Sequence, residues 1–185
     1  MHYLRNITLT IALLLVTGCS VKGQKYTPDF NAINNLKNEN LKSISVKSSN
    51  SESKNLMEIS LRAAKMTSPY GGSFSKYLEE SLKEHLKHAS LYNESSNIKV
   101  AVLMLKNNVD IMGFSIGEAD ISAKFTVYKN NKIIHNKVYS IHHTWDSSFI
   151  GQVAIENALN NYPIAIQKLI NKFTLNQDFL KKIKK

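Results

Sequence analysis

The stretch ADISAKFTVYKNNKIIHNKVYSIHHT, residues 119–144, decides the fold. Ala119, Ile121, Ala123, Phe125 and Val127 alternate with Asp120, Ser122, Lys124, Thr126 and Tyr128, the period-two pattern of a strand with one buried face. Asn130-Asn131 follows, and Asn tolerates the positive φ that a two-residue turn demands. Residues 132–144 are therefore expected to return as the antiparallel partner, making a hairpin long enough to be the spine of a sheet.

Working outward toward the N-terminus, Ile98, Val100, Val102 and Met104 alternate with Lys99, Ala101 and Leu103. This run is apolar on both faces and reads as a central strand. Before it, Ser73 can cap a helix running to about residue 89, with Phe74, Tyr77, Leu78, Leu82 and Leu86 on one face. Ser68-Pro69-Tyr70-Gly71-Gly72 breaks the chain ahead of that helix. Residues 57–63 alternate as a strand, residues 48–54 are a polar loop, and LKSISV, residues 41–46, is a first strand.

Toward the C-terminus, Ala154, Ala158, Leu159, Tyr162, Ile166, Leu169, Ile170 and Phe173 mark a long amphipathic helix. Pro163 lies inside it and is expected to kink or break it. Asn176 can cap a last short turn over residues 177–183. The resulting order is strand, strand, helix, three strands, helix. We expect an α+β fold, one mainly antiparallel sheet of about five strands with two helices packed on one face.

The start of the chain carries the most specific chemistry. MHYLRNITLTIALLLVTGCS combines Arg5, an apolar run over residues 7–16 and small residues before Cys19, the layout of a secretory signal peptide. That run is about half of the roughly 20 apolar residues that a spanning helix needs. Leu15-Val16-Thr17-Gly18-Cys19 resembles the lipobox of bacterial lipoproteins, with Val16, Thr17 and Gly18 leading to the modified cysteine. The resemblance implies removal of residues 1–18, a diacylglycerol on the Cys19 sulfur and an N-acyl chain, commonly palmitate, on its new amine. No other cofactor is expected. Two or three acyl chains, at about 0.8 kcal/mol per buried CH₂, make such an anchor effectively permanent. Ser20 stands where an Asp would signal retention at the inner membrane, so the resemblance implies the inner leaflet of the outer membrane, with the domain in the periplasm.

Cys19 is the one cysteine of 185 residues, so lipidation leaves no thiol for a disulfide. Residues 19–41 are polar, rich in Asn and Lys, and read as a lipidated N-terminus and flexible tether. Residues 42–185 are then a single domain, a length that buries an ordinary core. The formal charge is +10, or about +9 without Arg5. An export signal argues against nucleic acid as partner, and the scattered lysines, clustered only at residues 181–185, read as a solvated basic surface.

With these elements in place, the chain from about residue 73 resembles the YajG family of small bacterial lipoproteins. The similarity rests on ADISAKFTVYKNNKIIHNKVYSIHHTWDSSF, then IENALNNYPIAIQKLINKF and a terminal QDFLKKI. It implies a periplasm-facing lipoprotein that serves envelope machinery without catalytic residues. Membrane attachment through the lipid and an envelope protein partner are the expected associations, with a lipid or glycan carrier as the alternative.

Three groups of residues bear on chemistry. GFSIG, residues 113–117, fits the GxSxG pattern, but a serine nucleophile needs a turn from a strand into a helix, and a period-two strand follows here. Among the histidines, His135 and His143 share a strand face about 26 Å apart, too far for one metal. His85 and His88 have helical spacing but only Glu84 beside them. No catalytic or metal site is therefore expected. Tyr70 and Phe74 beside the glycines, with Tyr139, Trp145 and Phe149 near the hairpin's end, form the candidate partner patch.

Overall fold

The computed structural model describes residues 19–47 and 56–185. The segment expected to be a signal peptide, the expected lipobox residues Val16, Thr17 and Gly18, and the stretch expected to be a polar loop, residues 48–54, lie outside the described residues. The elements are β1 (Cys19–Lys22), α1 (Phe30–Asn38), β2 (Ser45–Lys47), β3 (Glu58–Leu61), β4 (Ala64–Thr67), α2 (Phe74–His88), β5 (Ile98–Asp110), β6 (Ile116–Lys129), β7 (Lys132–Asp146), α3 (Gly151–Thr174) and α4 (Gln177–Ile183).

The expected hairpin is present and longer than its pattern: β6 and β7 pair from Ile116↔Asp146 to Lys129↔Lys132. Asn130 and Asn131 adopt φ of 51° and 63°, the left-handed geometry that matches the strand twist. β5 pairs with β6 antiparallel and with β2 parallel, so it is central. Ala119, Ile121, Ala123, Phe125 and Val127 are buried, and α2 and α3 cover that face.

The class is α+β, but the single five-stranded antiparallel sheet is corrected. There are two mixed sheets among the described residues, β2-β5-β6-β7 and β1-β4-β3. The pattern over residues 57–63 hides a second hairpin, because β3 turns at Arg62-Ala63 into β4. Arg62 takes the positive φ, 47°. No Gly or Asn marks that turn.

The tether is corrected too. β1 pairs in parallel with β4, from Cys19↔Ala64 to Lys22↔Thr67. Asp29 then caps α1 through its side chain, and Ala32, Ile33 and Leu36 are buried. The segment between climbs α3: Gln24 bonds Asn160, Gln167 bonds the Thr27 carbonyl, and Asn171 bonds Asp29 at 2.9 Å. Polar composition here means side chains that bond the helix, while Tyr26, Ile33 and Leu36 supply the apolar contact.

Pro163 does not break α3, which runs unbroken through it. Asn176 accepts from the Phe179 N–H and caps α4 as expected.

Candidate functional site

Three of the five residues expected to form a docking patch are core residues. Phe74 is fully buried, and Tyr139 and Trp145 are nearly so. Phe74 packs edge-on to Tyr162 at 5.2 Å, and Tyr139 meets Phe125 and Phe173 at 5.6 and 5.8 Å. Tyr70 is half-buried and packs on Tyr77 at 5.5 Å. Phe149 alone stands out, at 74% exposure. Period-two and helical patterns place aromatic rings on a face, but the helices decide which face is covered.

Phe149 belongs instead to an apolar end that the structure assembles from two loops. Met112, Phe114 and Ile116, between and at the start of strands β5 and β6, are 69%, 67% and 57% exposed; Ile150, before α3, is 62% exposed. Phe114 and Phe149 are in ring contact at 5.1 Å. Neither IMGFSIG, residues 111–117, nor SSFIGQV, residues 147–153, contains a charged side chain.

Arg62 ties the two loops together. Its Nε donates to the Ile111 carbonyl at 2.8 Å and its Nη2 to Gly113 and Ser148 at 3.1 and 2.8 Å. Nη1 donates to the Phe149 carbonyl at 3.1 Å. A planar guanidinium with five donors can hold four carbonyls on two loops; an ammonium cannot. The Ser147 N–H adds a bond to the Ser115 carbonyl at 2.8 Å. Arg62, Met112 and Ile150 were not marked by sequence reasoning. The usable signal was two uncharged apolar loops flanking one long hairpin.

GFSIG thus forms one edge of this end. Ser115 is exposed in a bend that leads into β6, without the strand-to-helix turn of a nucleophile elbow. Gly117 has a packing reason: it faces Trp145 across the hairpin, and a Cβ there would lie 2.5 Å from the indole.

The five described histidines differ in their surroundings. His85 is fully buried between the Tyr26 hydroxyl, 2.9 Å from Nδ1, and Thr174, 3.4 Å from Nε2. Burial lowers its pKa to about 4, with Asp29 opposing and His88 adding to the shift. His135 bridges Asp178 at 3.1 Å and the Tyr139 hydroxyl at 2.9 Å. Burial also lowers His135 and raises Tyr139 to about 12. His143 receives a bond from Lys168 at 2.9 Å and meets Asn161 at 3.1 Å. Burial, then the Lys168 charge, lowers its pKa. His142 is exposed and pairs with Asp120 at 2.9 Å, while His88 is exposed at the end of α2. Among the described residues no three His, Cys, Asp or Glu side chains gather as a metal ligand set. No described helix is long and apolar enough to cross a membrane.

The interior where an apolar cargo would lie along β6 is occupied. Phe125 stacks on Phe173 at 4.3 Å, Val127 is fully buried, and half-buried Ile141 packs against the same core.

Comparison with known proteins agrees on the fold and stops there. No family model matches the chain, and no curated protein matches it. Among solved structures, a Caulobacter crescentus protein is 14% identical over 82% of this chain and 96% of its own, with a TM-score of 0.49. The minor lipoprotein of Acinetobacter baumannii is 15% identical over 78% and 95%, with a TM-score of 0.47. Both superimpose too loosely to bear on function, and neither singles out the YajG family. Protein XCC0632 from Xanthomonas campestris, of the family DUF330, is 12% identical over 88% of this chain and 96% of its own, with a TM-score of 0.61, so this chain shares its fold.

Proposed function

We propose that the chain is a bacterial envelope lipoprotein, anchored by acyl chains on Cys19 in the inner leaflet of the outer membrane. Its domain faces the periplasm and serves as a non-enzymatic accessory subunit that binds an envelope protein. The observation that carries this reading is the stretch Leu15-Val16-Thr17-Gly18-Cys19 behind the apolar run of residues 7–16. The cysteine that the lipobox marks for acylation pairs through its backbone with Ala64, at the start of β4. Ser20 in the next position supports the outer membrane, and the YajG-like pattern supports an accessory role. The alternative, a lipid or glycan carrier, needs the space that Phe173 and Tyr139 fill around Phe125.

Growth with an alkyne fatty acid, followed by fractionation of wild type and Cys19→Ala, tests the anchor. Wild type is expected to take up label and sediment with outer membranes, and the variant to do neither. An unlabelled wild-type protein, or a variant that stays membrane-bound and processed, overturns the reading. In-cell crosslinking of the labelled protein tests the accessory role, and capture of no envelope protein counts against it.

A further inference from the structure

The end of the fold that carries Cys19 is also the end that carries the exposed apolar loops. Cys19 is registered with Ala64, the first residue of β4, two positions past Arg62. Adjacent strands lie about 4.8 Å apart, so the Cys19 backbone lies within about 11 Å of the Arg62 backbone. Arg62 in turn holds the carbonyls of Ile111, Gly113, Ser148 and Phe149. A second path gives the same placement: residues 24, 27 and 29 meet α3 at 160, 167 and 171. Followed backward, the N-terminal segment descends α3 toward its first turn, beside Phe149 and Ile150.

Resting on the lipoprotein reading, we propose that this end is a membrane-contact surface, in which Met112, Phe114, Ile116, Phe149 and Ile150 enter the interfacial layer of the bilayer that holds the acyl chains of Cys19. The occupant is a phospholipid surface, and three features fit it. Cys19 itself lies in β1, paired with β4, so no spacer separates the acylated residue from this end. Large apolar side chains on uncharged loops suit the headgroup and acyl boundary, to a depth of about 5–10 Å. Four loop carbonyls, which would be costly to expose to hydrocarbon, already accept from Arg62. The lipid and the loops would act as two signals on one face, fixing the domain's orientation as well as its attachment.

The test uses the full acylated protein in vesicles of phosphatidylethanolamine and phosphatidylglycerol. Phe149→Trp is compared with Val138→Trp, at an exposed position of β7, each corrected for the native Trp145. With lipids brominated near the carbonyl end of the acyl chain, position 149 is expected to be quenched at least about twofold more than position 138. Equal quenching, on protein whose Cys19 acylation is verified by mass, overturns the membrane contact and leaves the lipoprotein reading intact. Protein lacking acyl chains on Cys19 overturns that reading and the inference with it. As an in-cell check, a photocrosslinker at position 149 is expected to give phospholipid adducts; a discrete protein adduct instead assigns this end to a protein partner and overturns the proposal.

Discussion

The β6–β7 hairpin has two ends of opposite character. Its tip is Asn130-Asn131 between Lys129 and Lys132, with the Asn97 side chain donating to Asn130 at 3.0 Å. Its open end, roughly 40 Å away for a strand of 14 residues, carries Ile116 and adjoins Met112, Phe114 and Phe149. The tip turns through local chemistry, two residues that accept positive φ between charged neighbours, with Asn97 bonding Asn130 from beside it. The open end is closed by a residue from elsewhere, Arg62, and exposes apolar surface. One strand pair thus has a water end whose turn its own sequence sets and an apolar end whose loops a distant side chain holds.

Arg62→Ala should disturb that contrast most. Losing four bonds from a charged donor, some of them solvent-screened, should cost about 3 kcal/mol. Amide exchange should accelerate in residues 111–115 and 147–150 while the tip is unchanged. Arg62→Lys should recover little, because an ammonium cannot span four carbonyls.

Acid should act between the two ends. His85 is neutral in the fold, with a pKa lowered from 6.5 to about 4, so the unfolded chain binds more protons between those values. Stability is therefore intact above pH 6.5 and falls as pH drops through that window, by roughly 3 kcal/mol at about 1.4 kcal/mol per pK unit. His85→Gln should flatten the pH dependence of the urea midpoint.

Gly117→Ala should cost about 2 kcal/mol, since the Trp145 ring must move, and the shift should be visible in indole fluorescence. Asn131→Ala should cost about 1 kcal/mol through its left-handed φ, read by thermal unfolding. Phe149→Ser should change folding stability least, within about 0.5 kcal/mol, because its ring already faces solvent. A larger thermal shift would show that the apolar end is part of the core.

The β6–β7 hairpin, the central β5 and the helices α2 and α4 were legible, because alternation, Asn at the turn, and caps at Ser73 and Asn176 act over a few residues. The β3–β4 hairpin was not. Ile59 and Leu61 continue as Ala64 and Met66 after a two-residue step, and Arg62-Ala63 carries no turn residue. The first segment misled for another reason. Its Asn, Lys and Gln residues match a solvated coil, yet Gln24, Asp29 and Tyr26 find partners on α2 and α3. The expected aromatic patch failed similarly, since Trp145 lies across the hairpin over Gly117 and against His143.

By itself the sequence determined the long hairpin and its turn, the central strand β5, the helices α2, α3 and α4, and the one cysteine placed in a lipobox, all consequences of neighbours a few residues apart. The tertiary structure alone decided that the chain divides into two sheets and that the supposed tether is packed. It also decided that Arg62, nearly fifty positions before Ile111, assembles an apolar end beside Cys19. Those outcomes depend on hydrogen bonds and burial between residues far apart in the chain, and no local period records them.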